Sequence, residues 1–245
     1  MADVVIALAD PETWSFASKE ADQRSTAARD IPQLQAARMS AALLAQAVWL
    51  MSDMDAVGPD APGPVLRRVA LLNVGSLAIR TANATCLLVS SGYEPDTHSL
   101  KRRLTELWAR ATHLYDDQSG EQARRWLRGE GHVRASKLVH KYLGSQGAAG
   151  QALLSRYTHD DSLGIRLLAS PPLSRATSER EHLVNVLPSR NHRQAAAILL
   201  ETTRDVADIA MMITVAGGAA LELPDEVAAA LHEHAAASRN QTFST

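Results

Sequence analysis

From Leu34 to Met51 the apolar positions Leu34, Ala37, Ala41, Leu44, Val48 and Met51 recur three and four residues apart. That spacing places them on one face of a packed α-helix. No stretch of the chain sustains the alternation of apolar and polar residues that a half-buried strand requires. Proline and glycine punctuate the helical runs. Asp10-Pro11-Glu12 reads as an N-cap with proline in the first turn of a helix reaching about Arg29, and Pro32 opens a second helix. VGPDAPGP (57–64) is a loop; Pro64 opens a third helix reaching about Ser91, with Gly92 at the position of a C-terminal cap. Pro95 starts a fourth helix to about Asp117, and Ser119 a fifth that ends before Gly144. A short helix precedes Tyr157, and SPPLS (170–174) is irregular. Helices near 177–186, 191–216 and 225–238 follow, with Gly217-Gly218 and Pro224 at the last break and a frayed tail over 239–245. The pattern predicts an all-α antiparallel helical bundle of about eight or nine helices in one domain, 1–245. Within it, 1–60 holds the N-terminal helices, 64–143 the central long helices and 147–238 the C-terminal helices.

Two helices carry polar stripes. On the third, Asn73, Ser76, Arg80 and Asn83 fall at steps of three, four and three within an otherwise apolar run, so this helix is expected to be central, with its lone cation needing a partner. On the fourth, Arg103, Glu106, Arg110, His113 and Asp117 form a second stripe beside Leu100, Leu104, Leu107, Ala111 and Leu114. Folding the two helices back at Gly92 to Pro95 puts Arg80 about 18 Å and Glu106 about 16.5 Å from the turn at 1.5 Å per residue. The expectation is a buried Arg80–Glu106 ion pair, with Asn83 beside Arg103, Ser76 beside Arg110 and Asn73 beside His113.

Composition narrows the partners. The net charge of −2 and pI near 6.5 remove any global attraction to nucleic acid or anionic membrane, and 4% aromatic residues leave little for base stacking. The lone cysteine, Cys86, lies in an apolar run, so it reads as a core residue rather than a disulfide or zinc ligand. The start, MADVVIALADPE, has no basic region of a signal peptide, which points to the cytoplasm. Val69–Val89 approaches membrane-spanning length, but Arg80 at a bilayer centre would cost about 2.5–3.5 kcal/mol, so no membrane is expected.

Other candidate chemistry is local. Tyr157-Thr158-His159-Asp160-Asp161 is a dense polar cluster that reads as a turn or as a general-base or ligand histidine. His232-Glu233-His234 sets its histidines on opposite sides of a helix, a poor metal site. There is no phosphate-binding glycine loop, nucleophile elbow or His-Glu-x-x-His helix, and no cofactor or metal is expected. Arg124, Arg125, Arg128, Arg134, Lys137 and Lys141 gather with Trp126 and Tyr142 in one basic stretch that suits RNA or another polyanion. Arg134-ASKLV-His140 has the arginine-to-histidine spacing of HEPN-class ribonucleases, with Ala135 where a polar residue is common.

SSGYEPDTHSLKRRLTE (90–106) and LSRYTHDD (154–161) resemble an uncharacterised bacterial all-helical family of unknown function. Its members have a Gly-Tyr turn, a helix bearing Arg-x-x-Glu and a downstream Tyr-x-His, and some are akin to HEPN-type proteins. The resemblance implies a helical bundle and marks Arg103, Glu106, His159 and Tyr157. The functional expectation is a self-associating binding module with a protein or small-molecule partner. Its polar seam is expected to be Arg80, Asn83, Arg103, Glu106, Arg110, His113, Tyr157 and His159. The alternative is a metal-independent endoribonuclease using Arg134 and His140.

Overall fold

The computed structural model describes residues 31–52, 58, 60–93, 96–130, 133–158 and 192–242. The described residues are mostly helical, with no strand among them. In chain order the helices are α1 (Pro32–Met51), α2 (Gly63–Ser90), α3 (Thr97–Asp116), α4 (Glu121–Leu127), α5 (Ala135–Thr158), α6 (His192–Ala216) and α7 (Asp225–Thr242). The helices expected over 10–29 and 177–186 lie outside the described residues.

Proline near the first turn opens α1 and α2, where a missing N–H costs no helical hydrogen bond. Gly92, at φ 79°, follows the end of α2, and the Tyr93 N–H bonds back to the Leu88 carbonyl to close it. Two boundaries differ from the sequence reading. The expected fifth helix is two: α4 ends at Leu127, Gly129 at φ 70° turns the chain away from it, and Val133 and Arg134 lead into α5. The α7 helix continues to Thr242, past the expected fraying point. Gly144, at φ 67°, is non-helical and breaks α5 into two helical segments at the place where the sequence sets a helix end.

The core sits where α1, α2, α3 and α6 meet. Leu44, Leu71, Val74, Ala78, Leu104, Leu114, Ile209 and Ile213 are buried there. Alanine at Ala70, Ala78, Ala82, Ala111 and Ala210 lets the helices approach closely, so shape rather than bulk fills the interior. Gly75 is the crossing point: a methyl group there would press on Ile213 and Val48. Cys86 is buried as expected, and burial pushes its thiol up to about 11, which leaves it unreactive near neutral pH.

Consecutive neighbours run antiparallel. Leu34 packs in one cluster with Cys86 and Val89, and the Arg68 guanidinium donates to the Met51 carbonyl, so α1 and α2 point opposite ways. The α2–α3 hairpin closes with Arg67 donating to Gln118 at 2.6 Å. The α6 helix departs from the antiparallel expectation. Its start packs with the start of α1 (Leu34 with Ala195 and Ile198), and Gly217, just past its end, lies against Met51. The α1 and α6 helices are therefore parallel.

Candidate functional site

The expected Arg80–Glu106 pair does not form. Arg80 is exposed on α2, as are Asn73, Ser76 and Asn83. Glu106 instead accepts from Arg102 Nε at 3.0 Å, one turn away on its own helix. Arg80 and Glu106 lie at similar depth in the hairpin, but depth along a helix does not set azimuth around it. The α2 face that meets its neighbours is Ala70, Leu71, Val74, Ala78, Ala82 and Val89, so the polar stripe opposite is turned to water, where a guanidinium keeps its hydration. Because Glu106 and Arg102 are both partly exposed, Glu106→Gln is expected to lower stability by no more than about 0.5 kcal/mol in a urea titration.

The other seam residues are scattered. Arg103 is exposed. Arg110 is buried and donates to the Val133 carbonyl, pinning the segment that precedes α5 against α3. His113 is half-buried; burial first, then Lys141 and Arg110, lower its pKa. Tyr157 lies in the last turns of α5, and His159 lies outside the described residues. Arg134 and His140 are both exposed, at and just inside the start of α5.

A different charged seam joins α3 to α6. The middle of α6 reads ETTRDVAD (201–208), a polar block between AAAILL and IAMMITVA. Glu201, Asp205 and Asp208, at steps of four and three, face α3. The two helices run parallel with a constant offset of 100 residues: Lys101 meets Glu201 at 2.5 Å, Thr105 meets Asp205 at 3.3 Å, and Trp108 Nε1 donates to Asp208 at 3.0 Å. The Thr105 hydroxyl also lies 3.2 Å from the Lys101 carbonyl, so its proton is shared. Arg204 donates to Asp205 and lies 5.5 Å over the Trp108 ring, a cation–π contact. Trp108 in turn meets Tyr142 of α5 edge-on at 6.4 Å, and the Tyr142 hydroxyl donates to Asp116 while accepting from Lys141.

The electrostatics follow from burial. Asp205 has a side chain only 2% exposed, and desolvation raises its pKa against the pull of Arg204. Desolvation also works against the Arg204 charge, but Asp205, with Glu201 and Asp208, outweighs it and raises that pKa. Asp208 is raised, chiefly by burial, and His234 is lowered, first by burial and then by Arg204. Lys101 pairs with Glu201 and Arg204 with Asp205, while Asp208 accepts from the Trp108 ring N–H. Chemically the seam is a latch that fixes the register of α3 on α6.

Below the latch, His98 is buried and its Nε2 lies 2.8 Å from the Gln194 amide nitrogen. An amide nitrogen only donates, so His98 Nε2 accepts and the ring is neutral with its proton on Nδ1. Burial, with Lys101, lowers its pKa to about 4. The folded value lies below the unfolded 6.5, so the stabilisation is complete above that value and is lost as pH falls toward 4. The loss is on the order of 3 kcal/mol, and a His98→Gln variant is expected to lose less stability than the parent between pH 7 and pH 4.5 by urea midpoint.

Among the described residues no group of three His, Cys, Asp or Glu converges as metal ligands. No family model, curated protein or solved structure matches this chain.

Proposed function

We propose that the protein is a non-catalytic helical interaction module, in which the α3–α6 latch is structural and binding belongs to the outer layer formed by α1 and α2. The observation that carries this reading is the exposure of Trp49 (77%), Leu50 (57%) and Leu87 (66%), three large apolar side chains on those two helices. Leaving a tryptophan and two leucines in water forgoes roughly 1.5–3 kcal/mol of burial each, and that free energy is recoverable only by a partner. The same reading takes the chain as one domain of eight to nine helices, counting 10–29 and 177–186. It also takes the protein to be cytoplasmic, self-associating and a relative of the bacterial helical family that its Gly-Tyr turn and Arg-x-x-Glu helix resemble.

The test is a Trp49→Ala/Leu87→Ala double variant. Both side chains are exposed, so stability is expected to hold within about 1 kcal/mol. Partners crosslinked in the source cell and identified by mass spectrometry are expected to disappear for the variant. An unchanged set of partners would remove this reading.

One observation favours a second reading, a HEPN-like metal-independent endoribonuclease. Residues 122–143 hold six Lys and Arg but one acidic residue, and Arg128, Arg134, Lys137 and His140 are all exposed. An RNA cleavage activity abolished by Arg134→Ala/His140→Ala would establish it in place of the first.

A further inference from the structure

The α1–α2 layer has an unusual charge inventory. The chain contains 27 Asp and Glu residues, yet α1 and α2 contain none; their only charged side chains are Arg38, Arg67, Arg68 and Arg80. Two of these arginines are committed within the fold: Arg67 donates to Gln118 and to the Tyr115 carbonyl, and Arg68 to the Met51 carbonyl. Arg38 and Arg80 are exposed. The outer layer therefore presents cations and large apolar side chains with no carboxylate of its own helices among them.

We infer that this face docks an acidic amphipathic helix of a partner protein, an inference that rests on the interaction-module reading above. Asn73, Ser76, Arg80, Asn83 and Leu87 form one exposed stripe along α2. The stripe spans about 21 Å at 1.5 Å per residue, the length of about four helical turns. Leu87 ends it, and Trp49 is at the axial level of its other end, since Val48 is at the level of Gly75 and Met51 at that of Arg68. Arg38, about three turns before Trp49, shares its side of α1 and lies near enough to α2 for its charge to act on Cys86. A helix with apolar anchors near both ends and carboxylates between them satisfies this pattern: the anchors cover Trp49 and Leu87, and the carboxylates meet Arg80 and Arg38 bidentately.

A second copy of this chain does not fit the face. A two-fold contact would set Arg80 and Arg38 of one copy against those of the other with no α1 or α2 carboxylate between them, and like charges in a desolvated interface repel. Self-association would then use another surface, such as that around the exposed Met211 and Val215 of α6. A lipid surface fits less well, because Asn73, Ser76 and Asn83 would have to be desolvated at the middle of the contact.

The experiment uses the full chain and three probes. One is a three-heptad helical peptide with leucine at its a and d positions and glutamate on the flanking positions. The second is its lysine counterpart, and the third is vesicles of equal phosphatidylcholine and phosphatidylglycerol. The readout is the blue shift of Trp49 emission, isolated by comparison with Trp49→Phe. The glutamate peptide is expected to bind, at least tenfold more weakly to Arg80→Glu, while the lysine peptide and the vesicles leave Trp49 unchanged. Equal binding of both peptides, vesicle binding, a blue shift on concentrating the protein alone, or an unaltered affinity in Arg80→Glu would overturn the inference. No binding of the glutamate peptide, alongside cellular partners that depend on Trp49 and Leu87, would overturn the acidic helix and leave the interaction module standing.

Discussion

Asp205→Ala is expected to destabilise the protein by about 3 kcal/mol, whereas Asp205→Asn costs about 1 kcal/mol. The difference comes from what each substitution leaves behind. Alanine removes the acceptor of the Arg204 guanidinium and of the Thr105 hydroxyl at a site where the carboxylate is almost completely buried. It leaves a cavity between α3 and α6 as well. Asparagine fills the volume and keeps one oxygen to accept from Arg204, while its NH2 donates to the Thr105 hydroxyl, whose own proton goes to the Lys101 carbonyl. It gives up the negative charge, but burial already opposes that charge, so the loss is partial. Arg204 is about a quarter exposed and has Glu201 and Asp208 within one turn, which limits the cost of the alanine variant to the lower end of that for a broken buried pair. Urea titration of the three proteins at pH 7 checks the order. An asparagine variant as unstable as the alanine variant would mean that the charge rather than the hydrogen-bond geometry holds the latch.

The second large effect is expected at a contact between two glycines. Gly63, at the start of α2, and Gly120, just before α4, lie backbone against backbone. A methyl group on Gly63 would overlap the Ser119 carbonyl, and one on Gly120 would overlap the Gly63 peptide. Neither obstacle is a side chain that can rotate away, so the α2–α4 contact must open. Gly120 also has φ 71°, in the left-handed region where an L side chain costs roughly 1–2 kcal/mol. Gly63→Ala is expected to cost about 2 kcal/mol and Gly120→Ala about 3 kcal/mol. Gly129 provides the comparison: its φ is 70°, but a methyl group there meets nothing within 4 Å, so Gly129→Ala carries only the conformational cost, about 1 kcal/mol. Thermal unfolding of the three variants should rank them in that order. Equal effects at Gly120 and Gly129 would show that backbone conformation, rather than the contact with Gly63, sets the cost.

None of the residues that join α3 to α6 stands out as a site in the sequence, for a physical reason. A charge inside an apolar helix needs a partner, and on α6 three carboxylates, Glu201, Asp205 and Asp208, interrupt an apolar run at helical spacing. On α3 the most charged stripe is Arg103, Glu106, Arg110 and His113, while the stripe that meets α6 is Lys101, Thr105 and Trp108. Both stripes have the same period. Lys101, Thr105 and Trp108 include only one charge, so a reading that weights charges passes over them, although threonine and tryptophan supply the O–H and N–H that buried carboxylates need.

By itself the sequence determined that the chain is helical, where α1, α2, α3 and α6 begin, and which positions of α1 are inward. These properties depend on neighbours within about four residues: proline at a first turn, glycine at a cap, and apolar recurrence at 3.6 residues per turn. It could not determine which side of α2 meets α3, that α6 returns parallel to α1 and α3, or that residues 100 apart would face one another. Those depend on the azimuth of each helix and on which helices, distant in sequence, pack side by side. Tertiary packing decided them by weighing the apolar area buried on each face against the cost of desolvating Arg80.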